Sequence, residues 1–318
     1  MNYYIRIFLA ISLLPFIFFG HTTFAREQVD FIDPMVWAIP FNKIAQVACH
    51  NCYERQYAET LSSVLDNVRV IEIDFWDQSN GIGGGSRRHW FVRHNLLSGN
   101  DNNCSPNDSG EHDLEACLKD IERWSDQHSK HFPITVVLDK KQGWSKQSSE
   151  RTPKEFDELV AGVFGEKLFT PGDLSNYTGN LLPLQTALKG RDWPTAEALQ
   201  GKIILVLNHT ENQKLSQYAE QRKFDARVFI SPVTNGSNDI SGEVSGMSRE
   251  SSNYVAMNNM SSDNKSWAEI AFNFNHIARV YGDDGISFVQ HVYEKINISA
   301  YYNFKNQRDD RGYRIRPF

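Results

Sequence analysis

The chain has 318 residues, of which 40% are hydrophobic and 23% are charged, and this composition excludes a disordered or fibrous protein. Lysine and arginine together number 33 against 39 acidic residues, which gives a formal net charge of −6. The resulting pI near 5.9 argues against a nucleic-acid-binding protein, because such proteins usually carry an excess of basic residues.

The first 25 residues have the pattern of a secretory signal peptide. Arg6 precedes an apolar run over residues 7–19, and the segment ends in the small-x-small pattern Thr23-Phe24-Ala25. The alternative is an uncleaved anchor, but the run is short for a bilayer span of roughly 20 residues. We therefore predict a signal peptide over residues 1–25, one folded domain over residues 26–318, and a secreted or periplasmic protein.

Four cysteines can be oxidised in an exported chain. Cys104 and Cys117 flank a loop rich in Asn, Asp, Gly and Ser, so we predict a disulfide bond between them. Cys49 and Cys52 form a C-x-x-C pattern, but neither a second such pair nor a histidine pair completes a zinc site. A thioredoxin-like motif is also disfavoured, because no suitable helix start follows. The pairing of Cys49 and Cys52 stays open.

Strand-like and helix-like segments alternate along the rest of the chain, which is typical of a parallel sheet. The predicted strands are Ile44–Cys49, Val68–Phe75, Trp90–His94, Ile134–Leu138, Lys202–Leu207, Ala226–Ile230, Tyr254–Met257 and Ile286–Val292. The predicted helices are Tyr57–Leu65, Asp113–His128, Pro153–Val163, Thr195–Leu199, Lys214–Arg222 and Ser266–Val280. Eight strands over about 250 residues favour a single α/β domain with a (β/α)8 TIM barrel, regular or irregular. An open doubly wound sheet is the alternative.

Polar stretches interrupt this alternation at three places. Residues 81–85, of sequence GIGGG, follow a strand but lead into no helix, so we interpret them as a flexible loop rather than a phosphate-binding turn. Residues 234–264 are rich in Ser, Asn and Gly and are predicted to form loops at the barrel rim around one short strand. The mostly polar tail over residues 303–318 is predicted to run over the surface.

Polar side chains gather where the first four predicted strands end. In a barrel of parallel strands, these ends share the face on which barrel enzymes carry their chemistry. The set comprises His50 and Asn51 after the first strand, Glu72 and Asp74 near the end of the second, His94 at the end of the third and Asp139 at the end of the fourth.

These residue types suit metal-assisted phosphoryl transfer. Carboxylate and carboxamide oxygens are ligands for Ca²⁺ or Mg²⁺, and two histidines suit acid–base catalysis near neutral pH. The ion offsets charge on a phosphorane, a carboxylate or histidine takes a proton from the nucleophile, and a histidine protonates the leaving oxygen. Each residue alone also fits a surface hydrogen bond or a solvated strand face, but the set as a whole favours a catalytic site.

The same residues resemble the catalytic X region of the calcium-dependent phosphoinositide-specific phospholipases C, within the PLC-like phosphodiesterases. The motifs that carry the resemblance are His50-Asn51-Cys52-Tyr53, the segment Val68–Asp77, His94, and the segment Pro133–Asp139. Weaker similarity lies in Pro194–Ile203 and in Arg279-Val280-Tyr281, which resembles an R-x-Y motif that contacts inositol. The resemblance is strong in the first half of the chain and thin in the second.

The resemblance implies a phosphoric diester hydrolase that cleaves a glycerophospholipid headgroup by intramolecular attack with Ca²⁺ assistance. It implies that His94 is the general acid for the leaving alcohol, that His50 steadies the phosphorane, and that Glu72 helps to deprotonate the inositol 2-hydroxyl. The implied metal ligands are Asn51, Glu72, Asp74 and Asp139, with Ca²⁺ preferred and Mg²⁺ as the second choice. The implied substrate-binding residues are Arg279, Tyr281 and Lys141.

Two departures from the animal members of that family bear on the metal site and on the substrate. Asp139 stands where those members usually have Glu, and the shorter side chain bears on metal reach and on the choice of base. Those members have lysines after the fifth strand that bind phosphates on the inositol ring, and residues 203–209 contain none. Unphosphorylated phosphatidylinositol, or another phosphodiester with free hydroxyls, is therefore favoured as the phospholipid substrate. We expect a monomer that touches the membrane peripherally and binds no nucleic acid. Aromatic side chains at the barrel rim, such as Trp90, Phe91 or Trp144, would make the membrane contact. The alternative is that these side chains are buried in the core.

Other functions remain as alternatives. A glycerophosphodiesterase or a sphingomyelinase D-like barrel would also use two histidines and a metal, but its first motif usually reads His-Arg-Gly, which this chain lacks. A catalytically silent lipid-binding or protein-binding barrel is the alternative outside the enzymes. The presence of every acid–base residue argues against it.

Overall fold

The structure is a computed structural model that describes residues 27, 29–77, 90–95, 102–106, 113–144, 151–179 and 183–318. The predicted signal peptide and the glycine-rich segment at 81–85 lie outside these residues.

Ten strands and ten α-helices make up the described part of the chain. The strands are β1 (Ile44–Cys49), β2 (Val70–Trp76), β3 (Phe91–Val92), β4 (Ile134–Lys140), β5 (Ile203–Asn208), β6 (Phe229–Ile230), β7 (Met257–Ser261), β8 (Ile277–Tyr281), β9 (Ile298–Tyr301) and β10 (Ile315–Pro317). The helices are α1 (Leu61–Leu65), α2 (Leu114–Gln127), α3 (Pro153–Phe164), α4 (Pro171–Thr178), α5 (Leu184–Lys189), α6 (Asn212–Arg222), α7 (Asn238–Ser241), α8 (Arg249–Ser252), α9 (Ala268–Asn273) and α10 (Phe288–Tyr293).

Eight parallel strands form a nearly closed barrel in the order β6-β5-β4-β2-β1-β9-β8-β7. Between β6 and β7 the closure consists of a parallel bridge from Val233 to Asn259 and a 2.9 Å hydrogen bond from the Thr234 amide to the Asn259 carbonyl. Central strands such as β1 and β5 are buried along their whole length, as expected for parallel strands covered on both faces. The predicted α/β class and irregular TIM barrel are confirmed.

Two of the predicted barrel strands are wrong. The segment Trp90–His94 contains only β3, which pairs antiparallel with β2 outside the ring of eight. The segment Ile286–Val292 is largely helix α10, whose N-cap Ser287 accepts a hydrogen bond from the Gln290 amide. The strands that fill these places in the ring are β8 and β9. Both were missed because short apolar runs of this kind fit a buried strand and a helix equally well.

Smaller differences concern the connecting segments. The predicted helix Ser266–Val280 is divided between α9 and β8, and Thr195–Leu199 forms hydrogen-bonded turns instead of a helix. Residues 234–264 contain the short helices α7 and α8 besides β7. The chain end does not simply run over the surface, because β10 pairs antiparallel with β1 and its Ile315 is fully buried.

Two disulfide bonds brace the segment after β1. The predicted Cys104–Cys117 bond is confirmed, with 4.8 Å between the Cα atoms, and Cys49 and Cys52 form a second bond with a Cα separation of 5.6 Å. Asn103 connects the two, because its side-chain amide donates to the Cys52 carbonyl at 2.7 Å. The segment that carries His50 and Asn51 is therefore closed by the bond between Cys49 and Cys52, and Asn103 attaches it to the loop before α2.

Removal of the bond between Cys104 and Cys117 should destabilise the fold moderately. The bond closes a loop with a sequence separation of 13. For a loop of this size the chain-entropy model gives roughly 3 kcal/mol. We expect the double variant Cys104→Ala/Cys117→Ala to lose about this much free energy of unfolding in urea titrations. An unchanged free energy of unfolding would show that the native loop needs no bond.

Buried histidines should make the fold sensitive to acid. Burial lowers the pKa of His131 to about 4 and the pKa of His276 to about 3. Between these values and about 6.5, the unfolded chain binds protons that the folded chain does not, so stability is full above pH 6.5 and falls as the pH drops. We expect urea titrations to show a loss of roughly 2 kcal/mol for each histidine between pH 7.5 and 4.5. A free energy of unfolding that is constant over this interval would contradict the expectation.

Candidate active site

Strand register brings the predicted polar residues to one end of the barrel. Asp74 of β2 lies directly opposite Asp139 of β4, and Asp139 lies opposite Asn208 of β5. His50 and Asn51 follow β1, which is hydrogen-bonded to β2. All of these positions are at the carboxyl ends of parallel strands, where barrel enzymes carry their chemistry.

Three carboxylates form a cluster that can hold a metal ion. Glu72, Asp74 and Asp139 each offer an oxygen atom, and these atoms lie within 4.8 Å of one another. Oε2 of Glu72 and Oδ1 of Asp74 are buried and accept no hydrogen bond from any described residue. Buried carboxylate oxygens without donors are costly, and a divalent cation would satisfy both. The residues present therefore fit a hard cation such as Ca²⁺.

Two basic side chains partly neutralise this cluster. Arg279 of β8 lies 2.8 Å from Glu72, and Lys141 lies 2.9 Å from Asp74 and 2.5 Å from Asp139. The three carboxylates and two cations carry a net charge of −1. A divalent ion together with one singly charged anionic ligand would bring this net charge to zero.

The carboxylates differ in how easily they ionise. Burial raises the pKa of Asp74 to about 6, although the hydrogen bond from His94 opposes this shift. Burial also opposes ionisation of Glu72, but Arg279 and His50 outweigh it and hold the pKa of Glu72 below its usual value. A cation beside Asp74 would favour its charged form, so the site as a whole is suited to a bound metal.

His50 is held in place from several sides. Its backbone amide donates to the Tyr301 carbonyl at 3.0 Å, and its ring stacks on Tyr302 with 4.4 Å between the ring centroids. Nε2 lies 3.4 Å from Glu72. Burial lowers the pKa of His50, which favours the neutral imidazole before substrate binds. The next residue, Asn51, adopts a left-handed backbone conformation with φ 54°, which asparagine tolerates better than most residues.

His94 lies across the cluster from His50 and is more open. Its side chain is 44% exposed, and Nδ1 donates to Asp74 at 2.9 Å. This hydrogen bond raises the pKa of His94 above its usual value. The side-chain amide nitrogen of Asn51 lies 3.2 Å from the same Nδ1. An exposed, carboxylate-supported histidine of this kind can deliver a proton to a group that leaves towards solvent.

A cavity of about 270 Å³ connects all of these side chains. The predicted residues that line it are His50, Asn51, Glu72, Asp74, His94, Asp139, Lys141, Arg279 and Tyr281. The structure therefore brings together every residue of the predicted site. Their chemical roles are taken up under the proposed function.

Comparisons with known proteins agree with this geometry. A sequence profile of the family described as phosphoinositide phospholipase C, Ca²⁺-dependent, matches residues 106–252. The structure of a calcium-dependent phosphoinositol-specific phospholipase C from Pseudomonas sp., in a myo-inositol complex, is 65% identical in sequence. The match covers 92% of this chain and 100% of that chain, with a TM-score of 0.89.

The chain belongs to the Ca²⁺-dependent phosphoinositide phospholipase C family. It is a phosphoric diester hydrolase of the phospholipase C type, as predicted.

More distant comparisons add less. A Ca²⁺-dependent phosphatidylinositol-specific phospholipase C from Streptomyces antibioticus is 20% identical, with a TM-score of 0.68 over 87% of this chain and 98% of that chain. This likeness shows the fold alone. A comparison with curated protein sequences found no match. The predicted Ca²⁺ cofactor agrees with the family and with the acidic cluster.

Sequence reasoning missed six residues that line the cavity of this phospholipase C, namely Asn208, His209, Thr210, Val233, Asn259 and Tyr302. Asn208 ends β5 and His209 follows it, so the rule that placed the other residues at strand ends would have found both. Asn259 lies on β7 and orients Arg279, because its Oδ1 accepts a 2.7 Å hydrogen bond from Nη1 of Arg279. Tyr302 follows β9, a strand that the sequence pattern did not reveal.

The suggested membrane contacts need correction. Trp90 and Trp144 are buried and pack around Phe156, so they belong to the core of the phospholipase C and not to its rim. Phe91 is half-buried in β3. Among the described residues, no helix is long and apolar enough to cross a membrane.

Proposed function

We propose that this phospholipase C cleaves phosphatidylinositol whose ring carries no further phosphate, by attack of the inositol 2-hydroxyl on the phosphodiester. The observation that carries this proposal is the acidic cluster with His50 on one side and His94 on the other. Both histidines border the same cavity as Arg279 and Tyr281. The cavity is the right size for one sugar-sized ring and its phosphate.

Asn51, Glu72, Asp74 and Asp139 are the proposed Ca²⁺ ligands, through their side-chain oxygens. When bound, the ion would offset negative charge on the phosphate oxygens and lower the pKa of a coordinated hydroxyl. Asp139 extends from β4 at the level of Asp74, so the shorter side chain still reaches the cluster.

His94 is the proposed general acid. Its Nδ1 is occupied by Asp74, so Nε2 is the nitrogen that can give a proton to the leaving diacylglycerol oxygen. The hydrogen bond to Asp74 raises the pKa of His94 and so favours the protonated ring. The reaction should therefore slow as the pH rises through the pKa of His94, which lies above 6.5.

His50 and Glu72 act on the opposite side of the phosphate. Neutral His50 can donate from its ring to a phosphorane oxygen, and its stacking on Tyr302 limits rotation of that ring. Glu72 is the proposed base for the 2-hydroxyl, and Arg279 holds its other oxygen. Because the nucleophile belongs to the substrate, correct placement of the ring supplies much of the rate acceleration.

Charge in the cavity favours a ring without extra phosphates. With Ca²⁺ the cluster changes from −1 to +1, which matches the single negative charge of a phosphodiester. Lys141 and Arg279 are the only lysine and arginine among the described lining residues, and both are already counted in this charge of +1, which one phosphodiester neutralises. Burial lowers the pKa of His209 to about 4, so this residue also brings no positive charge. A ring phosphate would enter without a counter-ion.

We also propose that residues 1–25 are a signal peptide and that the enzyme acts outside the cytoplasm as a monomer in peripheral contact with lipid. The charged, apolar and small-residue pattern of this segment supports export. Two disulfide bonds agree with an oxidising compartment. Peripheral contact follows from the substrate, because a lipid headgroup must reach the barrel mouth.

Headgroup analysis of the products from a lipid panel tests the proposed function. The purified enzyme should release inositol phosphate, in its cyclic form first, from phosphatidylinositol in Ca²⁺, and should be inactive once chelator has removed the metal. Phosphatidylinositol bisphosphate should react much more slowly. Full activity in excess chelator, or release of choline from sphingomyelin instead, would contradict the proposal. His128→Ala, a variant at the C-terminus of α2, serves as the control.

A further inference from the structure

The ammonium group of Lys141 lies within the carboxylate cluster that fits the metal. Its Nζ bridges Oδ2 of Asp74 and Oδ2 of Asp139 at 2.9 and 2.5 Å. Both carboxylates belong to the three that can converge on one ion. Lysine and a divalent ion would therefore compete for the same negative charge.

The two basic residues of the site are held very differently. Arg279 is almost fully buried, with one guanidinium nitrogen on Glu72 and another on Asn259. The side chain of Lys141 is 19% exposed and borders the cavity, and its backbone amide is fixed by a 3.0 Å hydrogen bond to the Phe75 carbonyl. Lys141 thus has a fixed backbone and a partly exposed ammonium group, whereas the guanidinium group of Arg279 is buried.

Charge balance indicates when the ammonium group of Lys141 would move. In the absence of metal, Lys141 neutralises the buried carboxylate of Asp74 and the half-buried carboxylate of Asp139, which would otherwise repel each other. The ammonium group of Lys141 supplies this positive charge through its two ion pairs. Once a divalent ion is bound to the same carboxylates, that fixed positive charge is repelled by it. The nearest new source of negative charge is a phosphodiester in the cavity.

We propose that Lys141 is an exchangeable counter-ion of the metal site. It pairs with Asp74 and Asp139 in the metal-free enzyme, leaves them when Ca²⁺ binds, and then contacts the phosphodiester of the substrate. This inference rests on the proposed function, and it adds that one side chain couples metal binding to substrate binding.

Calorimetric titration of the full-length enzyme with Ca²⁺ tests the inference without any turnover. Lys141→Gln should bind Ca²⁺ about tenfold more tightly than the wild type, because the competing charge is gone. Lys141→Arg keeps the charge and should bind Ca²⁺ like the wild type. The control Lys202→Gln removes a lysine at the opposite end of β5, where its Nζ donates to the Glu166 carbonyl, and should change nothing.

A second titration tests the proposed contact between Lys141 and the phosphate group of the substrate. In saturating Ca²⁺, myo-inositol 1-phosphate should bind Lys141→Gln about tenfold more weakly than the wild type. If Lys141→Gln does not fold, Lys141→Met carries the same test.

An unchanged or weaker Ca²⁺ affinity in the uncharged variants would overturn the inference, since it would mean that Lys141 stays with the carboxylates and orients them. Failure of the proposed function would look different. The wild type would then neither bind Ca²⁺ nor cleave phosphatidylinositol.

Discussion

His94→Ala is expected to slow the cleavage of phosphatidylinositol by about 10²–10⁴-fold, the usual range for one acid–base group. The loss should shrink sharply on a nitrophenyl phosphodiester of inositol, because nitrophenolate leaves without protonation. His94 is half-exposed and supported by Asp74, which suits a residue that meets the leaving group. The decrease of rate at alkaline pH should also disappear from the pH profile of this variant on phosphatidylinositol.

His50→Ala is the informative comparison. His50 is half-buried beside Glu72 and is assigned to the phosphorane, so its loss should be as severe on the nitrophenyl substrate as on the lipid. His128→Ala, which removes a histidine stacked on Trp124 outside the cavity, should retain wild-type rates on both substrates. Equal losses for His50→Ala and His94→Ala on both substrates would show that the two roles are wrongly assigned.

Asp74→Asn is expected to weaken Ca²⁺ binding by about 100-fold or more. Residues that only support metal ligands typically cost 10–100-fold when replaced, and Asp74 is a proposed direct ligand. Stability should change little, because burial already raises the pKa of Asp74 to about 6 and a neutral amide avoids that cost. Calorimetric titration with Ca²⁺ and urea unfolding, done on the same preparation, separate the two effects.

The matched control for this experiment is Asp126→Asn, which removes an exposed carboxylate paired with Lys167. It should leave the Ca²⁺ affinity unaffected. If Asp74→Asn unfolded the barrel or bound Ca²⁺ normally, Asp74 would be a structural residue and the ligand set would have to be revised.

The fold was predictable where hydrophobic segments are long or well capped. β1, β4 and α3 begin at the predicted residues, and in the structure α3 follows a capping box formed by Thr152 and Glu155. The second half of the barrel was harder. β6 has two residues and β8 five, so periodicity over so few positions cannot separate strand from helix.

More of the candidate site than of the barrel could be predicted from the sequence. His50 follows a correctly placed strand, and Glu72 and Asp139 lie on two others, so the parallel strands bring all three together. His94 was included in the site because the segment Trp90–His94 was wrongly predicted to be a barrel strand. It reaches the cavity because β3 folds back on β2, not because it ends a barrel strand. Tyr302 could not be found at all, since its place beside His50 depends on β9 and on a stacking contact between residues 252 positions apart.

The hydrogen bonds of Asn103 have a practical consequence for making the enzyme. Its amide reaches the carbonyls of Cys52 and Ala58, while the neighbouring Cys104 is bonded to α2. Both disulfide bonds therefore act on the same short stretch of chain. Protein produced in a reducing cytosol should reach the correct barrel yet hold its first histidine loosely. Periplasmic expression, or oxidative refolding, should recover specific activity without any change in the amount of folded protein.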